Sequence, residues 1–271
     1  MAINDISLTA GMRSNLVSLQ GTLELLNRTQ ERLATGKKIN SALDNPTSYF
    51  ASQSLLSRAS DLSVLKDAMG QAIQTVQAAD EGIEGITSLI EAAKGLAQTA
   101  RTSNSAGRSD LAAQFDELLA QIDDLSDDSG YQGTNLLDSD DLTVDFNEGG
   151  TSSLTVNGFD ASASGLSITS AVSNWESDGA IDAAVSDLNT AVDTLRTQAS
   201  TLSANLNVIT TREDFTTNII NTLTEGSDKL ILADMNEEGA NMLMLQTRQA
   251  LGITALSLSS QAAQSILRLF A

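Results

Sequence analysis

Long segments of this chain repeat apolar residues every three or four positions, and a single proline, Pro46, interrupts its 271 residues. That spacing places apolar side chains along one face of an α-helix, and the scarcity of proline leaves each helix free to continue. Aromatic residues make up only 3% of the chain, which suits helices packed side by side more than a core of large rings. The pattern predicts five helices, over about 4–34, 46–100, 108–128, 177–226 and 235–269.

The connection between the first two helices carries signals that end one helix and begin another. Gly36 stands where a left-handed glycine after a helix C-terminus belongs. Asp44 or Asn45 is placed to cap the next helix, and Pro46 suits its first turn. The sequence therefore predicts a short link here rather than one continuous helix.

A different pattern begins at Tyr131 and runs to about residue 172, where short alternating runs are separated by Gly and Asn. Period-two alternation is typical of strands, so the runs 142–146, 154–156 and 166–168 predict two small β-hairpins. Trp175, the only tryptophan, is predicted to be a packing anchor where the hairpins rejoin the helices. The predicted fold is mainly α: a long antiparallel bundle or coiled coil of N- and C-terminal helices with a small β-hairpin tip.

Charge is unevenly distributed along the chain. Of the formal net charge of −20, residues 41–228 carry −22, residues 1–40 carry +2 and residues 229–271 carry zero. A strongly acidic middle disfavours nucleic acid and anionic membranes as partners. The near-neutral ends, rich in Leu, Ile and Ala, are predicted to be buried.

The longest uncharged stretch, residues 249–267, is near the minimum length of a transmembrane helix. Eight of its 19 residues are polar, which is too many for a span that faces lipid, so no membrane insertion is expected. The first residues, MAINDISLTAG, lack a basic segment followed by an apolar run, so no cleavable signal peptide is expected. Secretion would then need a dedicated export machine.

The last predicted helix carries two apolar stripes, although one would suffice to pack it against the first helix. A helix that is apolar on more than one face needs further neighbours to cover it. Neighbouring subunits are the predicted source, and burial of both stripes within one monomer is the alternative. The first helix adds a seven-residue repeat of leucines. The predicted subunit-packing residues are Leu16, Leu19, Leu23, Leu26, Leu33, Leu251, Leu256, Leu258, Ile266 and Leu269.

Residues suited to catalysis are scarce. The chain has no His for general-base chemistry near neutrality and no Cys for a nucleophile or a thiolate metal ligand. Asp138, Asp140, Asp141 and Asp145 cluster beside the first predicted hairpin and would offer Ca²⁺ its preferred oxygen ligands. Their spacing lacks the glycine and final glutamate of an EF-hand loop, so a solvated acidic turn is favoured. No enzymatic activity, cofactor or metal is predicted.

Four further aspartates, Asp123, Asp124, Asp127 and Asp128, lie near the C-terminal end of the third predicted helix. The helix dipole disfavours negative charge at that end. We therefore expect them to be exposed or to pair with a basic residue across a subunit contact.

Three segments together resemble bacterial flagellins. Residues 32–44, RLATGKKINSALD, resemble the flagellin signature RLSTGx[RK]INSAxD. Residues 131–137, YQGTNLL, resemble the point where flagellins turn from helix into the first hairpin, and the tail from 240 to 267 is also flagellin-like. The matches fall in the family's order, and the most similar members are the short flagellins of α-proteobacteria. One departure lies at 45–48, NPTS, where the family usually continues DAAG, and it affects the geometry of the link.

The resemblance implies a structural subunit, not an enzyme, that polymerises into the bacterial flagellar filament used for swimming motility. It implies a D0 pair of terminal helices, 1–40 and 230–271, that forms the inner tube of the filament. It also implies a D1 helical bundle, 41–229, with β-hairpins at about 131–172 and no D2 or D3 domain.

The resemblance also implies the partners and the location. The partners would be further copies of the chain in a helical homopolymer, the flagellar cap, hook-associated junction proteins and an export chaperone. Type III export would place the protein in the extracellular filament. Ser and Thr residues in 151–173 are candidate O-glycan acceptors.

Two other functions remain as alternatives. A hook–filament junction protein would share the end helices but serve in few copies. An acidic coiled-coil binding module or calcium-dependent adhesin would instead be a stable monomer with ordered termini.

Overall fold

The computed structural model describes residues 10–269, with side chains described as far as Ser265. The five predicted helices are confirmed, and α4 continues beyond its predicted end at about 226. The glycine at 226 lowers helix propensity, but buried Ser227 and Ile231 hold the following turn in place. The elements are α1 (Ala10–Thr35), α2 (Pro46–Ala100), α3 (Ser105–Asp128), β1 (Leu142–Asp145), β2 (Ser153–Val156), α4 (Asp178–Ile231) and α5 (Met235–Leu269).

Two compact units make up the chain. The terminal unit comprises Met1–Arg58 with Thr222–Ala271, and the middle unit comprises Ala59–Asn221. Each unit therefore contains residues from both halves of the sequence.

The core of the middle unit follows a seven-residue repeat. From Met69 onward, the buried hydrophobic positions of α2 alternate at three and four residues, which is the spacing of a left-handed coiled coil. Small alanines alternate with larger aliphatic residues and let the helices approach closely, so this core needs few aromatic rings. From Met69 onward the buried hydrophobic positions of α2 are Met69, Ala72, Val76, Ala79, Ile83, Ile86, Ile90, Ala93, Ala97 and Ala100, and those early in α4 are Ile181, Ala184, Leu188, Ala191 and Leu195.

Trp175 is the largest side chain in this core. It is fully buried, with its ring centroid 4.9 Å from that of Phe115 on α3. Arg108 on α3 also contacts the segment around Trp175. Its guanidinium donates to the carbonyl of Trp175 at 3.5 Å and pairs with Asp178 at 2.6 Å. The predicted role of Trp175 as a packing anchor is confirmed.

Only one of the two predicted hairpins forms among the described residues. Strands β1 and β2 pair antiparallel, with Leu142 opposite Val156. The run 166–168 has the expected alternation, with Leu166 and Ile168 buried, but it is a turn rather than a strand. Its N–H groups donate to carbonyls of residues 162–164 just before it, so none remains for a partner strand.

Aspartates of α3 hold the irregular segment between the hairpin and α4. The carboxylate of Asp123 accepts the N–H of Ala163 at 2.7 Å, and that of Asp116 accepts the N–H of Ala171 at 2.8 Å. The expectation that Asp123, Asp124, Asp127 and Asp128 are exposed is confirmed. The sequence did not indicate that the carboxylate of Asp123 also accepts a backbone N–H inside the chain. Hydrogen bonds to charged acceptors are stronger than neutral ones, which suits these residues to fixing a segment with little regular structure.

Two of the four aspartates beside β1 (Asp138, Asp140, Asp141 and Asp145) also accept backbone N–H groups. The carboxylate of Asp140 accepts the N–H of Asn135 at 2.9 Å, and that of Asp141 accepts the N–H of Gly158 at 3.0 Å. Gly158 also passes so close to the backbone of Asp140 that a Cβ would collide with it. These carboxylates stabilise the turn that precedes β1.

Candidate subunit-packing surface

Helices α1 and α5 pack together as an antiparallel pair in the terminal unit. Two contacts define the register: Arg32 near the end of α1 meets Glu238 near the start of α5, and Leu19 faces Gly252. A Cβ on Gly252 would lie 2.8 Å from Cδ1 of Leu19, so the glycine permits this close approach. Along α1 the seam follows a seven-residue repeat whose buried or half-buried members are Met12, Leu19, Leu26 and Leu33.

The two links that flank this helix pair are hydrogen-bonded to each other. Gly36 ends α1 with a φ of +68°, and its N–H donates to the carbonyl of Arg32 at 2.8 Å. This confirms the predicted helix-ending role of Gly36. The N–H of Lys38 then donates to the carbonyl of Ile231 at 2.7 Å. In return, the N–H of Ala233 donates to the carbonyl of Gly36 at 3.0 Å, which ties the end of α1 to the start of α5.

An ion pair between the two helices lies beside these links. Nη1 of Arg32 is 2.8 Å from Oε1 of Glu238, and the two side chains are 22% and 8% exposed. Sequence reasoning missed Glu238, because nothing in one sequence pairs an acid in the last helix with an arginine in the first. The pair has little contact with solvent, so salt screens it less than a surface ion pair.

Asp44 organises the turn that leads into α2. Its Oδ2 accepts the N–H groups of Asn40 and Ser41, each at 3.0 Å, and the hydroxyl of Ser41 at 3.3 Å. These hydrogen bonds, from the backbone of Asn40 first and then of Ser41, lower the pKa of Asp44 below its usual value. The helix cap itself is Asn45, whose side-chain oxygen accepts the N–H of Ser48 at 3.2 Å. The two capping candidates in the sequence thus have separate roles.

Acidification is expected to loosen this turn. Because folding lowers the pKa of Asp44, its contribution to stability is complete above the unfolded value of about 3.9 and is lost as the pH falls through the lower folded value. Amide hydrogen-exchange protection of Asn40 and Ser41, corrected for intrinsic rates, should therefore be high at neutral pH and fall below about pH 4. In Asp44→Asn the protection should already be reduced at neutral pH and change little with acid. Equal protection in both proteins at neutral pH would contradict this role.

The predicted subunit-packing residues are covered to different degrees within the chain. Those on the α1–α5 seam are shielded, whereas those on the outer faces of the two helices remain in solvent. Leu26 is buried; Leu19, Leu33 and Leu256 are half-buried; Leu16, Leu23, Leu251 and Leu258 are 36%, 37%, 64% and 61% exposed; and the side chains of Ile266 and Leu269 lie outside those described.

Further apolar residues on the same helices share this exposure and were not singled out from the sequence. They fall outside the seven-residue repeat, so periodicity alone did not mark them. Full burial of one such side chain against a partner would contribute about 2 kcal/mol. The additional exposed residues are Val17, Leu25, Met235, Leu243, Met244 and Ile253.

Within residues 10–269, none of the helices combines the length and the apolar character that crossing a membrane requires. The exposed apolar residues of α1 and α5 are suited to contact with other proteins, since large exposed apolar patches mark interaction sites.

Comparison with known proteins gives a family for the chain. The family model of the bacterial flagellin N-terminal helical region matches residues 3–141. Flagellin FljK of Caulobacter vibrioides is 30% identical over 274 residues, covering 100% of both chains. A flagellin of Brucella melitensis is 30% identical over 279 residues, covering 98% of this chain and 97% of its own. Matches of this extent, together with the signature folded into the hydrogen-bonded link at 32–44, place the chain in the bacterial flagellin family.

Proposed function

We propose that this chain is the structural subunit of the bacterial flagellar filament used for swimming, and that it polymerises through α1 and α5. The observation that carries the proposal is the apolar surface left uncovered on that helix pair, of which Leu251 and Leu258 are the most exposed predicted members. Burial of this surface between copies would supply the free energy of assembly. Membership of the flagellin family supports the same conclusion.

Within the filament, residues 1–40 and 230–271 form the D0 inner tube and residues 41–229 form the D1 layer, without D2 or D3. The division of the chain into a terminal and a middle unit supports this assignment. So does the contrast in charge, because the net charge of −22 lies within 41–228 and suits a solvated surface. The role is mechanical and requires no catalysis.

The proposal also includes an export route and accessory partners. The protein is exported by the flagellar type III apparatus with the help of a chaperone and is added beneath the cap, above the hook-associated junction proteins. O-glycans, where present, attach to Ser and Thr residues in 151–173, and the exposure of Ser153 and Thr155 on β2 supports this placement. Nothing in the matches favours a hook–filament junction protein instead.

Removal of the last thirty residues, 242–271, tests the function. We expect the truncated protein to form no filaments by electron microscopy, because it loses most of α5 and with it Leu251 and Leu258. The urea-unfolding transition of the middle unit, reported by Trp175 fluorescence, serves as the control and should be unchanged. Normal filaments from the truncated protein would overturn the proposal.

A further inference from the structure

The α1–α5 pair carries a second feature that the apolar surface does not explain: two arginines beside one cavity that have no partner among the described residues. Arg28 on α1 and Arg248 on α5 line a cavity of about 470 Å³. Neither guanidinium forms an ion pair or hydrogen bond with another described residue. By contrast, Arg32, one turn further along α1, is satisfied by Glu238.

The cavity continues along the helix pair as a groove. A second cavity, of about 300 Å³, shares Ser18, Thr22 and Arg248 with the first and is also lined by Leu251. We call these two cavities together the arginine groove. Small residues make up part of its wall, and Leu251 is 64% exposed. The groove therefore combines positive charge with apolar surface.

We propose that the arginine groove receives a terminal helix from a second copy of this chain, and that Arg28 and Arg248 pair with a carboxylate on that helix. The inference rests on the proposed function and adds the contact that sets the register between copies. A free anion would contact only the two guanidinium groups, whereas a helix would also cover the exposed side chain of Leu251. Arginine binds carboxylates through paired hydrogen bonds, so such a contact also restricts orientation.

The terminal helices supply the complementary charge. Glu24 already lies in the groove wall, so it is not the incoming group. Outside the groove, α1 carries Glu31 and α5 carries Glu237, and neither side chain has a partner among the described residues. An uncovered apolar surface alone permits copies to slide past one another, whereas an ion pair at a fixed position favours one register.

Charge reversal with compensation tests the pairing. The critical concentration for polymerisation onto wild-type filament seeds would be measured for Arg248→Glu and, as a matched control, for Arg196→Glu on α4. We expect Arg248→Glu to raise it by at least about tenfold and Arg196→Glu, whose side chain is 72% exposed, to leave it within about twofold. Rescue would then be sought in Arg248→Glu/Glu31→Arg and Arg248→Glu/Glu237→Arg, polymerised on seeds of the same double variant.

Restoration by either double variant supports the proposal and identifies the carboxylate. The proposal is overturned if Arg248→Glu polymerises like wild type, or if neither double variant polymerises better than Arg248→Glu. Circular dichroism of each variant excludes loss of helix as the cause. Because the wild-type protein is polymerised alongside, its failure to form filaments would count against the proposed function itself and is distinguishable from failure of the pairing.

Discussion

Replacing Arg32 by alanine is expected to weaken the α1–α5 pair by about 2 kcal/mol and to raise the critical concentration for polymerisation roughly thirtyfold. The reason is that Glu238, whose side chain is only 8% exposed, would keep its charge without a partner. Truncating one member of a poorly hydrated ion pair costs more than the pair itself contributes. Seeded polymerisation at a series of monomer concentrations gives the measurement.

The two members of this pair should not be equivalent. Glu238→Ala leaves Arg32, which is 22% exposed and can turn its guanidinium toward water, so we expect a smaller loss of about 1 kcal/mol. The double variant removes both charges and should cost less than the sum of the single variants. Additive effects would show that the two side chains do not interact in the assembled protein.

Replacing Trp175 by alanine is expected to give the largest loss of stability in the middle unit, about 3–5 kcal/mol. The indole is fully buried against Phe115, and its removal leaves a cavity that the long helices cannot close without disturbing their seven-residue packing. The free energy of unfolding would be measured by urea denaturation followed by far-ultraviolet circular dichroism. A loss below about 1 kcal/mol would show that the turn is not anchored by this side chain.

A phenylalanine at the same position provides the control. Trp175→Phe keeps an aromatic ring against Phe115 and removes an indole N–H that has no acceptor among the described residues. Loss of an unsatisfied buried donor offsets part of the lost volume. We therefore expect Trp175→Phe to cost about 1 kcal/mol, well below the alanine variant.

The helices could be predicted from the sequence because their pattern is long and repeats. In α2 the buried hydrophobic positions alternate at three and four residues from Met69 to Ala100, and no proline interrupts them. The helix-ending role of Gly36 was equally local, since a left-handed residue at that point favours glycine. Both follow from residues that are close together in the chain.

The contacts that were missed join residues far apart in sequence. Nothing near Glu238 indicates that it meets Arg32, and nothing near Asp123 indicates that it accepts the N–H of Ala163. The second hairpin was wrongly predicted from a local pattern. Its alternation at Leu166 and Ile168 is real, but alternation shows only which side chains are buried and not which carbonyls accept the N–H groups.

We infer that the uncovered face of the α1–α5 pair is buried between copies of the chain. Because the chain contains no cysteine, Leu251→Cys introduces a single thiol on that face, and Ser153→Cys introduces one at an exposed position of β2 as a control. Maleimide labelling would be timed in monomers and in filaments of each variant. We expect both thiols to react readily in monomers. In filaments, labelling should slow by at least about tenfold in Leu251→Cys and change little in Ser153→Cys. Equal labelling rates of Leu251→Cys in monomers and filaments would contradict this inference.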